Sequence, residues 1–169
     1  SNTVNVDGAD NLILLIQTDA TASGFTAATS TDQFLFYADA GSTYDIDWGD
    51  GTVQTGVTGN QTRTYASIGT YRIRARNWTG ATIRHIPPSG TTTDAIKILE
   101  LQQWGNTAWT STEGMFINSA LMVGTFYDSP NLSSSNTLRQ TFSGCESFNG
   151  SPNASMASWN TSTITNLVE

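Results

Sequence analysis

The nonapeptide YDIDWGDGT (residues 44–52) places three carboxylates, Asp45, Asp47 and Asp50, within six residues. Three readings suit such a cluster. A calcium loop of the EF-hand kind carries carboxylates at alternate positions and then a sharp-turn glycine. Asp45 and Asp47 meet that pattern, but Gly49 takes the next alternate position and Asp50 arrives one residue late. Ca2+ is thus the one cofactor the sequence offers, with these three residues as its ligand set. A carboxylate pair for glycoside hydrolysis needs a set separation and a concave sugar site. Asp45 and Asp47 on one strand face would stand roughly 7 Å apart, within the inverting range, but a flat sheet face is no pocket. In the third reading the motif is architecture: Asp47 and Asp50 accept bonds from turn amides, as Asp does in turns for local reasons, and Asp45 is solvated. The third reading is favoured, and no catalytic residue is assigned.

Other reactive side chains are few. His85 is the only histidine, which rules out a two-His metal site. A Ser-His-Asp triad stays formally open, but no nucleophile elbow accompanies it. Cys145 is the only cysteine, so no internal disulfide holds the chain. Its position is expected to be small and buried rather than reactive. Arg72, Arg74 and Arg76 form a row on one strand face. Three like charges side by side repel, so they are either a solvated face compensated by Asp45 and Asp47 or a surface for an anionic partner. Trp78 and Trp104 are candidate platforms for stacking on sugars.

The elements that position these residues are read from alternation. LILLIQT (12–18) has the length and branching of a buried strand. QFLFYA (33–38) alternates, and so does STYDIDW (42–48), with Tyr44, Ile46 and Trp48 on one side and Asp45 and Asp47 on the other. GDGT closes a hairpin, because glycine supplies the backbone angles that such turns need. TVQTGV returns, YASIG makes a corner, and TYRIRAR (70–76) points Tyr71, Ile73 and Ala75 inward. Short strands at this spacing predict a β-sandwich. The texture changes at Pro87-Pro88-Ser89-Gly90, the expected boundary. AIKILEL (95–101) is a last apolar strand. Short helices are then expected: one opened by Thr110 and Glu113 as a capping box and carrying Met115 and Phe116, one over NTLRQTF, stopped by Gly144, and the start of one over STITNLVE. MFINSALM (115–122) and TFSGCESF (141–148) align at a period of 26, pairing Phe116 with Phe142, Ser119 with Cys145 and Met122 with Phe148. A helix and a short strand per unit of this length predict a solenoid of the leucine-rich class.

The totals agree with a β-rich chain. Of 169 residues only 12% are charged, and Thr, Ser, Asn and Gly abound. Five Trp, five Tyr and seven Phe supply apolar area enough for a core. The net charge of −7 argues against a nucleic-acid footprint. Eight of the fourteen acids lie in the first fifty residues and five of the seven basic residues lie from Arg63 to Arg84, so one face should be acidic and another basic. The longest apolar run, LILLI, is far too short to cross a bilayer.

Two segments resemble known families. YDIDWGDGTVQTGVTGNQTRTYASIGTYRIRA resembles a PKD domain, an Ig-like sandwich of bacterial and archaeal surface proteins, with Arg63 where that family usually has His. LQQWGNTAWTSTEGMF, TFSGCESFNG and ASWNTSTITNL resemble the BspA-like leucine-rich surface proteins. The organisation expected is therefore a linker or upstream end over 1–11, a PKD-like sandwich over 12–88, and an α/β solenoid of BspA-like repeats over 89–169. The resemblance implies a non-enzymatic module on a cell surface or virion surface, acting in adhesion, protein contact or assembly. The alternatives are a decoration protein of a bacterial virus and a carbohydrate-binding accessory module. A repeat cannot cover its own apolar face, so Ile164, Leu167 and Val168 are expected to form an open assembly edge toward protein partners or identical subunits, and glycans are a second class of partner.

Overall fold

The computed structural model describes residues 8–83, 91–149 and 156–167. His85, the Pro87-Pro88 boundary and Val168 lie outside them. The protein is mainly β, with eight strands among the described residues: β1 (Leu12–Gln17), β2 (Gln33–Phe36), β3 (Thr43–Asp47), β4 (Val53–Thr58), β5 (Gln61–Thr64), β6 (Thr70–Thr79), β7 (Ile98–Gln103) and β8 (Val123–Gly124). Six of them form one sheet in the order β4-β3-β6-β1-β7-β8, and β2 pairs with β5 in a second sheet. The expected alternation holds: Tyr44, Ile46 and Trp48 are buried with Phe34, Phe36, Ile73 and Ala75 in a core shared by both sheets. β5 was not anticipated, because QTRT has no apolar face to signal it.

β1 sits in the middle of the large sheet, antiparallel to β6 on one edge and to β7 on the other. Leu12, Leu14 and Ile16 enter the core, and Ile13 is buried as well. A fully buried Leu or Ile contributes about 1.5–3 kcal/mol, so this short strand is a large part of the driving force. Because β7 and β8 come from the segment after the double proline, both the sheet and the hydrophobic cluster run across the expected boundary. Gly8–Asn11 is joined to the same sheet, since the Gln103 side chain donates to the carbonyls of Gly8 and Asn11.

Residues 104–149 and 156–167 contain no α-helix; the helices expected at 110–116, 136–142 and 162–169 are replaced by turns over the described residues. Two causes are visible. Gly114 and Gln140, inside two of the expected helices, hold positive φ (62° and 53°), which a right-handed helix excludes. The hydroxyl of Thr110, expected as a cap, instead donates to the Ala81 carbonyl at 2.8 Å. The 26-residue period is nevertheless physical: Phe116 stacks on Phe142 at 6.0 Å. Trp104 packs edge-on against Phe116, Phe126 and Trp159 in the same aromatic column.

Residues 95–97, expected as the start of the strand over 95–101, are not strand, which begins only at Ile98. A short 3-10 helix, Asp94–Lys97, leads into β7, and both its charged ends are buried, at 0% and 1% exposure. The Asp94 carboxylate accepts from the amides of Ala28, Thr29 and Leu35 and from the Thr29 hydroxyl. Lys97 Nζ donates to Thr29 Oγ1, Ser30 O and Gln33 O at 2.8–2.9 Å and stands 3.5 Å from Asp94. A buried charge is tolerated only when paired and fully bonded, and here the pair fixes the loop that delivers β2. Removing Asp94 leaves the ammonium uncompensated. Asp94→Ala should cost about 3–5 kcal/mol of unfolding free energy in a urea titration, and a loss below about 1 kcal/mol would show that the pair does not organise this loop.

Candidate functional site

The outer face of the large sheet gathers most of the candidates. β3 and β6 pair with Asp45 opposite Arg76 and Asp47 opposite Arg74, so the alternation that buries Tyr44 and Ile46 also lays carboxylates against guanidinium groups. Arg74 comes within 3.7 Å of Asp47. Arg72 Nε donates to Gln102 Oε1 at 2.7 Å, and Gln102 donates on to Glu100 at 2.8 Å. β1 lies between β6 and β7, so the Arg72–Gln102 bond crosses over it. In register, Ile13 sits beside Arg74 and Leu15 beside Arg72. Long basic side chains can cover apolar neighbours with their stems while keeping the charge wet, and Arg72, bonded across β1, is placed to do so beside Leu15.

The three aspartates do not converge. Asp47 Oδ1 accepts from the Gly49 amide and Asp50 Oδ1 from the Thr52 amide, each at 2.9 Å. This is the turn bonding expected of them. Asp45 is not merely solvated: it accepts from the Gly56 amide at 2.8 Å and from Asn77 Nδ2 at 2.6 Å. Asp50 has a further partner, because Arg63 brings Nε and Nη2 to its Oδ2 at 2.8 and 2.7 Å, and Nη2 also reaches Thr52 Oγ1. The hairpin is thereby tied to β5. Gly49 is required at its position: φ is +78°, and a Cβ there would stand 2.6 Å from the Arg72 carbonyl.

Among the described residues no group of three His, Cys, Asp or Glu side chains could hold a metal ion, so the calcium reading of Asp45, Asp47 and Asp50 loses its ligand set. The hydrolase reading loses its cleft. The depression between Asp45, Asp47, Arg74 and Arg76 measures about 70 Å³, far below the roughly 300 Å³ at which ligand pockets begin. Nor are the two tryptophans platforms. Trp104 is 0% exposed inside the aromatic column, and Trp78 is half-buried, stacked on Tyr44 at 4.4 Å and close to Trp109. Apolar packing took both rings inward. The most exposed aromatic among the described residues is Tyr127. Cys145 is half-buried, its thiol donates to the Phe116 carbonyl at 3.0 Å, and burial pushes it up to about 12, with a backbone bond opposing. It packs against the hydrophobic cluster.

Of the three residues expected at an assembly edge, Ile164 and Leu167 lie among the described residues. Ile164 is half-buried, and Leu167 is 68% exposed at the rim of a groove of about 420 Å³ lined by residues 138 and 140–146. Leu167 was expected at an open edge because a repeat cannot cover its own apolar face; the groove beside it, the Asp50–Arg63 tie and the Arg72–Gln102 crossing had no sequence signal, since the two bonds join residues 13 and 30 apart.

Two carboxylates on this face are held below their ordinary value of 3.8. The Asn77 amide and the Gly56 N–H lower Asp45; at Asp50 desolvation pulls upward, but the Thr52 and Arg63 bonds outweigh it. Each favours folding fully above pH 3.8, and the contribution fades as the pH falls from there through the folded-state value. The chain should therefore lose stability below about pH 4, and Asp50→Asn should make that loss shallower in melts across the range. An acid profile unchanged by Asp50→Asn would remove the Arg63–Asp50 tie from the account. No protein-family model, no curated protein and no solved structure matches the chain.

Proposed function

We propose that this chain is a non-enzymatic surface module, acting through adhesion, protein–protein contact or structural assembly at a bacterial cell surface or on a virion. In this reading residues 12–88 are an Ig-like sandwich of the PKD type, and 89–169 are the first units of a BspA-like repeat array sharing its sheet. The support is physical. The side chains that could do chemistry are engaged in the fold itself: Asp47 and Asp50 in the hairpin, Asp45 on Gly56 and Asn77, and Arg72 across β1.

The observation that carries the proposal is the groove at the second turn of the repeat. There the packing of one turn on the next gives way to an open surface rimmed by Leu167. A module of this kind recognises partners by shape and backbone pattern, so the occupied site is an edge and not a pocket. Its partners are proteins, with identical subunits among them.

Sedimentation of the full chain over a wide concentration range, with electron microscopy of the same samples and binding to bacterial cells, tests the reading. Species heavier than 18.1 kDa, ordered arrays or attachment to cells are expected. A monomer at every concentration that attaches to no cell would contradict it.

A further inference from the structure

The first and second turns of the repeat are hydrogen-bonded to each other in a fixed pattern. Gly114, Phe116 and Asn118 donate their amides to the carbonyls of Arg139, Thr141 and Ser143 at 2.8–3.0 Å, alternate residues on each side. The amides in between close local turns: Met115 to Thr112, Ile117 to Gly114, Ser119 to Phe116. The second turn repeats those local bonds 26 residues on, with Thr141 to Leu138, Ser143 to Gln140 and Cys145 to Phe142. Its backbone repeats as well, since Gly114 and Gln140, and Asn118 and Gly144, share positive φ.

The sideways row is what differs. Gln140, Phe142 and Gly144 occupy the places of Gly114, Phe116 and Asn118, and among the described residues their amides have no acceptor. All three residues line the groove rimmed by Leu167. The neighbouring rung is already filled, because Leu138 donates to the Asn166 carbonyl at 2.9 Å. Three open donors at alternate residues, next to a filled rung, match a row of carbonyls such as Arg139, Thr141 and Ser143 present to the first turn.

We propose that this groove binds a segment of a partner polypeptide coiled as the second turn is, and seated as that turn is seated on the first: carbonyls of alternate residues toward Gln140, Phe142 and Gly144, and an aromatic side chain against Phe142. The first interface supplies the template, for there Phe142 stacks on Phe116 and the Arg139–Glu113 ion pair at 2.7 Å clips the rim. Backbone bonds to such an edge give affinity, and side-chain complementarity gives specificity. This inference rests on the surface-module reading and names the partner chemistry of its edge.

A synthetic peptide with the sequence of residues 137–149 is the probe, because it carries the pattern that the first turn already accepts. Amide hydrogen exchange of the full chain is followed by NMR with the peptide, with a scrambled peptide, and in Leu167→Asp, a change at an exposed side chain that the fold tolerates. Saturating peptide should slow exchange at Gln140, Phe142 and Gly144 by about tenfold or more, as new hydrogen bonds do, and Leu167→Asp should weaken that protection. Unchanged exchange at the three amides, equal protection by the scrambled peptide, or indifference to Leu167→Asp would overturn the assignment. If the groove fails while the chain still assembles or attaches to cells, only this inference falls; loss of assembly and attachment removes the surface-module reading itself.

Discussion

β1 is apolar on both of its faces and paired on both of its edges, and the rest of the protein is arranged to satisfy it. Leu12, Leu14 and Ile16 need a core on one side, which Tyr44, Trp48 and the β2–β5 sheet provide. Ile13 and Leu15 need cover on the other, where Arg72 and Arg74 flank them in register. Its backbone needs two ladders, and β6 and β7 supply them. An unpaired edge or an uncovered face on such a strand would cost several kcal/mol and invite pairing with other chains. The strand thus binds the segment before the double proline to the segment after it.

Charge is organised around the same demand. Three arginines side by side on a strand repel one another and need compensation or solvent. Here Arg72 reaches across β1 to Gln102, while Arg74 approaches Asp47 on β3, on the other side of β6. The buried Asp94–Lys97 pair acts on the opposite, inward side: it satisfies amides and carbonyls of residues 28–35, so that the loop from β1 can enter the core as β2 without leaving polar groups unpaired. Desolvation is the main influence on Lys97 and lowers its affinity for a proton, with Asp94 opposing. The ammonium is retained because its neighbours hold it.

How much of this was legible follows from what each signal measures. The faces of 42–48 and 70–76 could be read because period-two alternation reports burial directly, and the GDG hairpin because glycine there reports backbone angles. β5 is four polar residues and reports nothing. The helices failed for a definite reason: Thr110 and Glu113 have the spacing of a capping box, but the backbone at Gly114 and Asn118 turns left-handed, and the two side chains bond to Ala81 and Arg139 instead. The glycine at 114, inside the expected helix, was the available warning. The 26-residue alignment located the stacked phenylalanines without knowing the backbone that carries them. Asp94 and Lys97 are three residues apart beside an apolar strand, and only the fold reveals that both are inside.

The central claim is that β1 makes the two halves a single cooperative unit. Native-state hydrogen exchange under increasing denaturant tests it most directly. The account predicts that amides of Leu14 and Ile73 on one side and of Leu101 and Phe116 on the other converge on the same opening free energy and the same denaturant dependence. Exchange of Leu101 and Phe116 through a separate, cheaper opening, with Leu14 and Ile73 still protected, would contradict it.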